Sequence, residues 1–384
     1  MKNKKIIIIG ANEFQYKLID KANKLGYETH VFAWENGAVA KDISSFFYPI
    51  SVTDKERILE KAKEIKPNAV CSIASDLAMP TVNYIADKLG LIGNSLLSTE
   101  LMTNKFKMRK RLSEMNLPCP WYRLISNCKD LENDKLKFPL IVKPIDRSGS
   151  RGITKVSSLD ELEGAIDLAK SVSFSDVVLV EEYIGGSEYS VESISQNGKH
   201  QVLQITEKYT TGAPNYIEIG HLQPARLSEK LRHDIEKIVT DSLSALEFEN
   251  GASHAEIKID DGKITIIEIA GRMGGDFIGS DMVEISTGID FLQLTLDVSL
   301  GNKISINNHN SENSYAIVRF IFSQKDIERY HEIKTKFPYV VKEENIYKEF
   351  NENITDSSNR NGYYILSIPN KKDLTEILNI GVFK

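Results

Sequence analysis

The chain has 384 residues, 41% hydrophobic and 27% charged, an ordinary globular balance with room for two to four domains. Its formal net charge of −6 argues against a broadly basic nucleic-acid binder, and no apolar run approaches the ~18 residues of a membrane span. The basic start Lys2–Lys5 is followed only by Ile6–Ile9, Gly10 and Ala11, too short for a signal-peptide core, so a cytoplasmic location is expected. Cys71, Cys119 and Cys128 fit neither a disulfide framework nor a four-ligand zinc site and read as reduced thiols.

In chain order, Ile6–Ile9 is a short apolar run ended by Gly10, as in a buried parallel strand. Leu18, Ile19, Ala22 and Leu25 recur at helical spacing. Thr29–Phe32 reads as a second strand, Ile58, Leu59, Ala62 and Ile65 as a helix closed by Pro67, and Ala69–Ser72 as a third strand. A helix over Val82–Leu89 leads to Leu91–Gly93. This alternation implies a parallel sheet with right-handed crossovers. The first turn, Gly10-Ala11-Asn12-Glu13-Phe14, lacks the later glycines of a dinucleotide fingerprint. Asn12, Ser75 and Asp76 are then either small-molecule contacts or turn and cap residues. From Phe138 onward the strands lengthen and alternate, and the tail carries strand-like runs at Tyr315–Phe322 and Tyr363–Ile368 and a helix near Asp373–Leu378.

Three segments carry chemistry. In the first, Lys143 ends an apolar strand and is followed by Ile145-Asp146-Arg147-Ser148-Gly149-Ser150-Arg151-Gly152. Such a loop is either a solvated hairpin or a cover whose N–H groups close over phosphate oxygens, with Lys143 as a point charge. In the second, Val177–Val180 runs into Glu181-Glu182-Tyr183-Ile184 and, after Gly185-Gly186, Glu188. It is either a plain strand–turn–strand or a strand end whose backbone reads a base edge while a carboxylate takes ribose hydroxyls.

The third segment is the hairpin His254–Asp276, where register decides whether Glu256 and Glu268 can share a cation. In a regular ladder, a two-residue Asp261-Gly262 turn pairs Ile267 with Glu256 and sends the two glutamates to opposite faces. A three-residue loop, Asp260-Asp261-Gly262, pairs Ile259 with Lys263 and faces His254 with Glu268. Glu256 then lies diagonally beside Glu268, and Ala255, Ile257, Ile259, Ile267 and Ile269 form the opposite, core face. The three-residue loop is therefore the expected one. Adjacent glutamates repel without a cation or proton between them, and an all-oxygen pair suits Mg²⁺ completed by phosphate oxygens. Arg272 follows directly and could neutralise developing charge, and Gly274-Gly275-Asp276 suggests backbone close to a ligand.

Together these segments, with Asn104-Lys105 opening a helix through Met108 and Leu112, resemble the ATP-grasp superfamily over residues 1–300. Glu218–Ala225, His254-Ala255-Glu256 and Arg272–Asp276 resemble more narrowly its L-amino acid ligase group, and Val318-Arg319-Phe320 is similar to the end domain of those ligases. The resemblance implies an α/β and α+β fold: an N-terminal parallel-sheet α/β domain (1–98), two ATP-grasp lobes (99–183 and 184–304) and a small C-terminal α+β lobe (305–384). It implies that Lys105 and Lys143 contact ATP phosphates or adenine, with Lys143 also catalytic, and that Ser148, Gly149, Ser150 and Gly152 cap the triphosphate. Glu181, Glu182 and the Ile184 backbone would read adenine and Glu188 the ribose. Glu256 and Glu268 would hold one or two Mg²⁺ (or Mn²⁺) ions, and Arg272 would stabilise the acyl-phosphate and tetrahedral states. His221, His254, Gly274 and Gly275 would lie by the substrate, although each histidine could equally be a satisfied structural group. Many members have an asparagine two residues after the second metal glutamate, whereas this chain has Ala270.

The implied activity is ATP- and Mg²⁺-dependent carboxylate–amine ligation through an acyl phosphate, with an amino acid substrate, in a homodimer without nucleic-acid or membrane partners. The rivals are a nucleotide-precursor ligase, a biotin-dependent carboxylase or a non-catalytic ATP-binding regulatory module. The only Met-Lys pair is at the start of the chain, so there is no internal biotin carrier.

Overall fold

Ile6, Ile7, Ile8 and Ile9 are all fully buried, because the strand they form is covered on both faces. In the computed structural model, which describes residues 4–384 except 133, 148–150, 213–215, 307–313 and 352, four parallel strands make the first sheet. They are β1 (Lys5–Ile9), β2 (Glu28–Phe32), β3 (Phe46–Tyr48) and β4 (Ala69–Cys71), in the order β3-β2-β1-β4. Leu18, Ile19 and Ala22 of α1 (Glu13–Lys24) pack with Ile6 and Ile8, while Ile58 and Ala62 of α2 (Lys55–Ile65) pack with Ile7 and Ile9. The sequence pattern passes over β3, a three-residue strand, and Leu91–Gly93 forms no strand. Asn12 caps α1, accepting from Phe14 N and Gln15 N, which is the cap reading of that turn.

After α3 (Met79–Leu89) and α4 (Leu96–Thr103), Asn104 caps α5 (Lys105–Glu114). A second, antiparallel sheet follows: β5 (Tyr122–Ile125), β6 (Leu140–Pro144), β7 (Thr154–Val156) and β8 (Val178–Glu182), in the order β5-β8-β6-β7. One face packs on Leu162, Ala165, Ile166 and Ala169 of α6 (Leu162–Val172).

The third sheet has eight antiparallel strands, in the order β13-β12-β9-β10-β11-β14-β16-β15. They are β9 (Ser187–Gln196), β10 (Lys199–Thr210), β11 (Glu218–Gln223), β12 (Gly251–Asp260), β13 (Lys263–Ala270), β14 (Tyr315–Phe320), β15 (Val341–Ile346) and β16 (Gly362–Ile368). The C-terminal strands thus continue the central sheet through β11–β14 pairing. Gly220 permits that pairing: a Cβ there would stand 2.5 Å from the Val318 carbonyl oxygen. No helix among the described residues is long and apolar enough to cross a membrane.

The β12–β13 hairpin corrects the expected register. Asp260 pairs with Lys263 and Ile259 with Ile264, so the turn is the two-residue Asp261-Gly262. Both turn residues have positive φ (47° and 78°), as a tight turn matched to strand twist requires. The ladder then shifts by one residue: Ile257 opposes Ile266, but Glu256 opposes Glu268, with Ile267 the extra residue of a bulge. The bulge puts the two glutamates on one face, which a regular ladder from this turn would forbid.

Candidate active site

A cavity of about 470 Å³ lies between the second and third sheets. Glu256 and Glu268 line it from neighbouring strands, directly opposed in register. Each is held by a buried lysine: Lys105 Nζ donates to Glu268 Oε1 at 2.8 Å and Lys208 Nζ to Glu256 Oε1 at 2.7 Å. Lys208 also reaches Glu188 at 2.9 Å and Glu218 at 3.9 Å. Burial alone would raise the Glu256 pKa, but Lys208 and His254 together hold it well below the usual carboxylate range. Burial likewise works against the charge on Lys105, and Glu268, with Asp76 and Glu256, more than offsets it.

The opposed pair fits Mg²⁺, which binds through one or two carboxylates and takes its other oxygens from phosphates and water. Among the described residues no group of three or more His, Cys, Asp or Glu side chains forms a metal cage, so phosphate oxygens would have to complete the shell. Ala270 lies at the end of β13 beside the cavity and offers no ligand atom.

At the other wall, Lys143 ends β6 and pairs with Glu181 of β8 at 2.6 Å. Arg109 of α5, fully buried, donates to the other Glu181 oxygen at 2.6 Å. Burial pushes the Lys143 pKa down, and the nearby Arg109 and Lys105 charges add to that against Glu181. A phosphate beside Lys143 would push that pKa back up. The Glu181 carboxylate is thus taken up by two cations, which leaves the strand end beyond it as the candidate for reading a base. There Glu182 Oε1 accepts from Trp121 N at 2.9 Å, and the Ile184 carbonyl accepts from Lys258 at 3.2 Å. Ser148, Gly149 and Ser150 lie outside the described residues. Gly152 has φ 68° and packs where a Cβ would stand 2.5 Å from Val172, seating the loop end on α6.

The third corner is Arg272, which forms a two-point ion pair with Asp76 at 2.9 and 2.8 Å. Asp76 sits just beyond β4, so the N-terminal sheet contributes to this site. His254 Nδ1 donates to Glu192, a fully buried carboxylate, and its Nε2 stands 3.7 Å from Glu256. Burial disfavours the imidazolium, yet Glu192 raises the His254 pKa to about 9. Gly274 N donates to Glu192 at 3.0 Å, and a Cβ on Gly274 would lie 2.5 Å from Glu192 Oε1. Gly274, Gly275 and His221 do not line the cavity. His221 pairs with Lys208 in register and shares its face of the sheet, yet its Nε2 lies 3.5 Å from Asp276, beyond the cavity lining.

The sequence reading missed Lys208, Glu192 and Arg109. Each is one polar residue within an alternating or helical run, and its signal is the contact made across the fold rather than any local motif.

Residues 136–281 match the family model described as an ATP-grasp domain. The chain carries an ATP-grasp domain. Over 99% of its length it superposes on 97% of the crystal structure of L-amino acid ligase from Bacillus licheniformis, with 25% identity and a TM-score of 0.80. It is 25% identical over 321 residues to the carbamoyl phosphate synthase large chain of Caldanaerobacter subterraneus subsp. tengcongensis, covering 78% of this chain and 29% of that protein. It is 23% identical to a formate-dependent phosphoribosylglycinamide formyltransferase of Prochlorococcus marinus over 70% of each. The chain thus spans less than a third of the carbamoyl phosphate synthase chain. In this cavity the opposed glutamates and Arg272 from the third sheet meet Lys143 from the second, Lys105 from α5 and Asp76 from beyond the first.

Proposed function

We propose that the protein is an ATP- and Mg²⁺-dependent carboxylate–amine ligase acting on an amino acid. The observation that carries this is the opposed pair Glu256 and Glu268, in one cavity with Lys105, Lys143 and Arg272.

In the proposed reaction a substrate carboxylate oxygen attacks the γ-phosphorus of ATP, the bond to the β-phosphate oxygen breaks, and ADP leaves. The acyl phosphate so formed is attacked at carbon by an amine nitrogen, which expels phosphate and loses a proton to give the amide. Lys105 and Lys143 spread the charge of the transferring phosphoryl group. Glu256 and Glu268 would hold Mg²⁺, which would supply charge neutralisation to the transferring phosphoryl group. Arg272, oriented by Asp76, faces the oxygen on which charge develops in the tetrahedral state.

Charge pairing favours an amino acid over a phosphorylated sugar. The cations on the Arg272 side, among the described residues, each have an internal partner: Arg272 has Asp76, Lys105 has Glu268, and His254 has Glu192. A phosphate monoester would need spare cations there. A homodimer is proposed from the family resemblance.

The test is phosphate release from MgATP with a panel of amino acids, singly and in pairs. Release that needs an amino acid is expected. Glu268→Ala is expected to lose at least about 10²-fold in kcat, the scale of several kcal/mol of charge stabilisation. No release with any member of the panel would contradict the reading.

A further inference from the structure

The turn after Arg272 is strained. Asp276 (φ 51°) and Phe277 (φ 63°) both lie in the left-handed region that side chains disfavour, and a π-helical turn, Ile278–Met282, follows at once. Such outliers persist only where the surroundings hold them.

Three parts of the chain hold this one. From the N-terminal sheet, Ala74 N donates to the Met273 carbonyl at 3.2 Å. From the central sheet, Glu192 accepts from Gly274 N. From the C-terminal segment, Arg360 grips Asp276 with both terminal nitrogens, at 3.0 and 2.7 Å. Arg360 is mostly buried, lies 3.4 Å over the Phe320 ring and donates to the Glu218 carbonyl at 3.3 Å.

Arg360 also closes a loop. Asn361 Oδ1 accepts from Asn351 N at 2.7 Å and its Nδ2 donates to the Asn351 carbonyl at 3.0 Å, pinching the segment between them at its base. Within that segment Thr355, Asp356 and Ser357 line the cavity, and Ser357 Oγ donates to Glu218 at 2.8 Å. Neither Asp276 nor Arg360 lines the cavity.

We infer that the Asp276–Arg360 pair is a positioning clasp: it holds the strained turn so that Arg272 faces the cavity, and it seats residues 353–361 as part of the cavity wall. Its consequence for catalysis rests on the ligase reading of Arg272. Asp276 and Arg360 are positioning residues that act through Arg272 and the loop, without touching the reactants.

The test compares Arg360→Met, Arg360→Lys, Asp276→Asn and the double variant with the wild-type protein. A misplaced catalytic group costs about 10²-fold in kcat, and that loss is expected in Arg360→Met and Asp276→Asn. The dissociation constant of a non-hydrolysable ATP analogue is expected to stay within about twofold, because the clasp is not part of nucleotide binding. The double variant is expected to be no slower than the slower single one, and Arg360→Lys to recover part of the loss. Undiminished kcat overturns the clasp, and so does a kcat loss matched by equal losses of nucleotide affinity and melting temperature. Should Arg360→Met fail to fold, Asp276→Gly decides: glycine accepts the φ of 51° without strain while deleting the carboxylate, and wild-type kcat there overturns the clasp.

Amide hydrogen exchange over residues 272–277 reads the clasp without turnover. About tenfold faster exchange in Asp276→Asn supports it, and unchanged exchange overturns it, whatever the substrate panel shows. A wild-type protein that releases no phosphate in the panel is a failure of the ligase reading, separate from either exchange result.

Discussion

Glu181 sits where a strand of apolar residues meets two cations, and its fate shows what single residues carry here. Its carboxylate is buried between Arg109 and Lys143, both within 2.6 Å. Burial alone would raise its pKa, but the two cations hold it below the ordinary 4.5. Stability from a depressed carboxylate is fully present above the unfolded value and is lost as pH falls through the folded one. Removing one partner of a buried pair costs about 3–5 kcal/mol, so Glu181→Gln is expected to lose about that much at pH 7. The deficit relative to wild type should shrink as pH falls below 4.5, as read by urea midpoints from pH 7 to 3. A deficit constant across that range would mean the pair contributes no charge-dependent stability. The sequence places Glu181 at the end of an apolar strand but offers no sign of Arg109, which arrives from a helix 72 residues earlier. The family resemblance assigns this carboxylate to base reading, and the fold turns it into the anchor of Lys143.

Glycines decide how the elements meet. Gly186 has φ 80°, and a Cβ there would stand 2.1 Å from the Ile259 carbonyl oxygen on the hairpin that carries Glu256 and Glu268. Gly262, in the turn of that hairpin, has φ 78° but open space around it. Gly262→Ala is therefore expected to cost only the left-handed strain, about 1–2 kcal/mol, and to leave nucleotide affinity unchanged. Gly186→Ala adds a backbone clash and is expected to cost about 3 kcal/mol and to weaken ATP binding. Melting curves and equilibrium titration with an ATP analogue check both, and equal effects at the two positions would contradict the geometry. The same hairpin marks the limit of pattern reading. Ile266 and Ile267 are both apolar, so the sequence cannot tell which of them is the extra residue of a bulge. A regular ladder forced a choice between a tight turn and a shared glutamate face, whereas the bulge provides both. By contrast, the buried run Ile6–Ile9 and the amphipathic spacing of α1 and α2 were legible, because sheet and helix periodicities are local.

Across the whole molecule, long-range pairing carries what local patterns do not. The C-terminal strands join β11, so the tail extends the sheet that holds the metal candidates. Lys17 of α1 reaches Asp281 at 3.1 Å and Glu343 of β15 at 2.6 Å, tying both ends of the chain to the turn after Arg272. The order of motifs along the chain made the ATP-grasp fold readable, since order survives where individual signals are weak. Asp76 and Arg360, separated from Arg272 by 196 and 88 positions, become part of the arrangement only through the topology. All three sheets contribute to the cavity, and the proposed ligase would phosphorylate a carboxylate there and then displace the phosphate. That chemistry moves an oxygen atom. Amino acids labelled with ¹⁸O in the carboxylate, turned over with MgATP, are predicted to yield inorganic phosphate carrying one labelled oxygen. Phosphate released without label would mean that water, not a carboxylate, attacks the nucleotide, and would contradict an acyl-phosphate ligase.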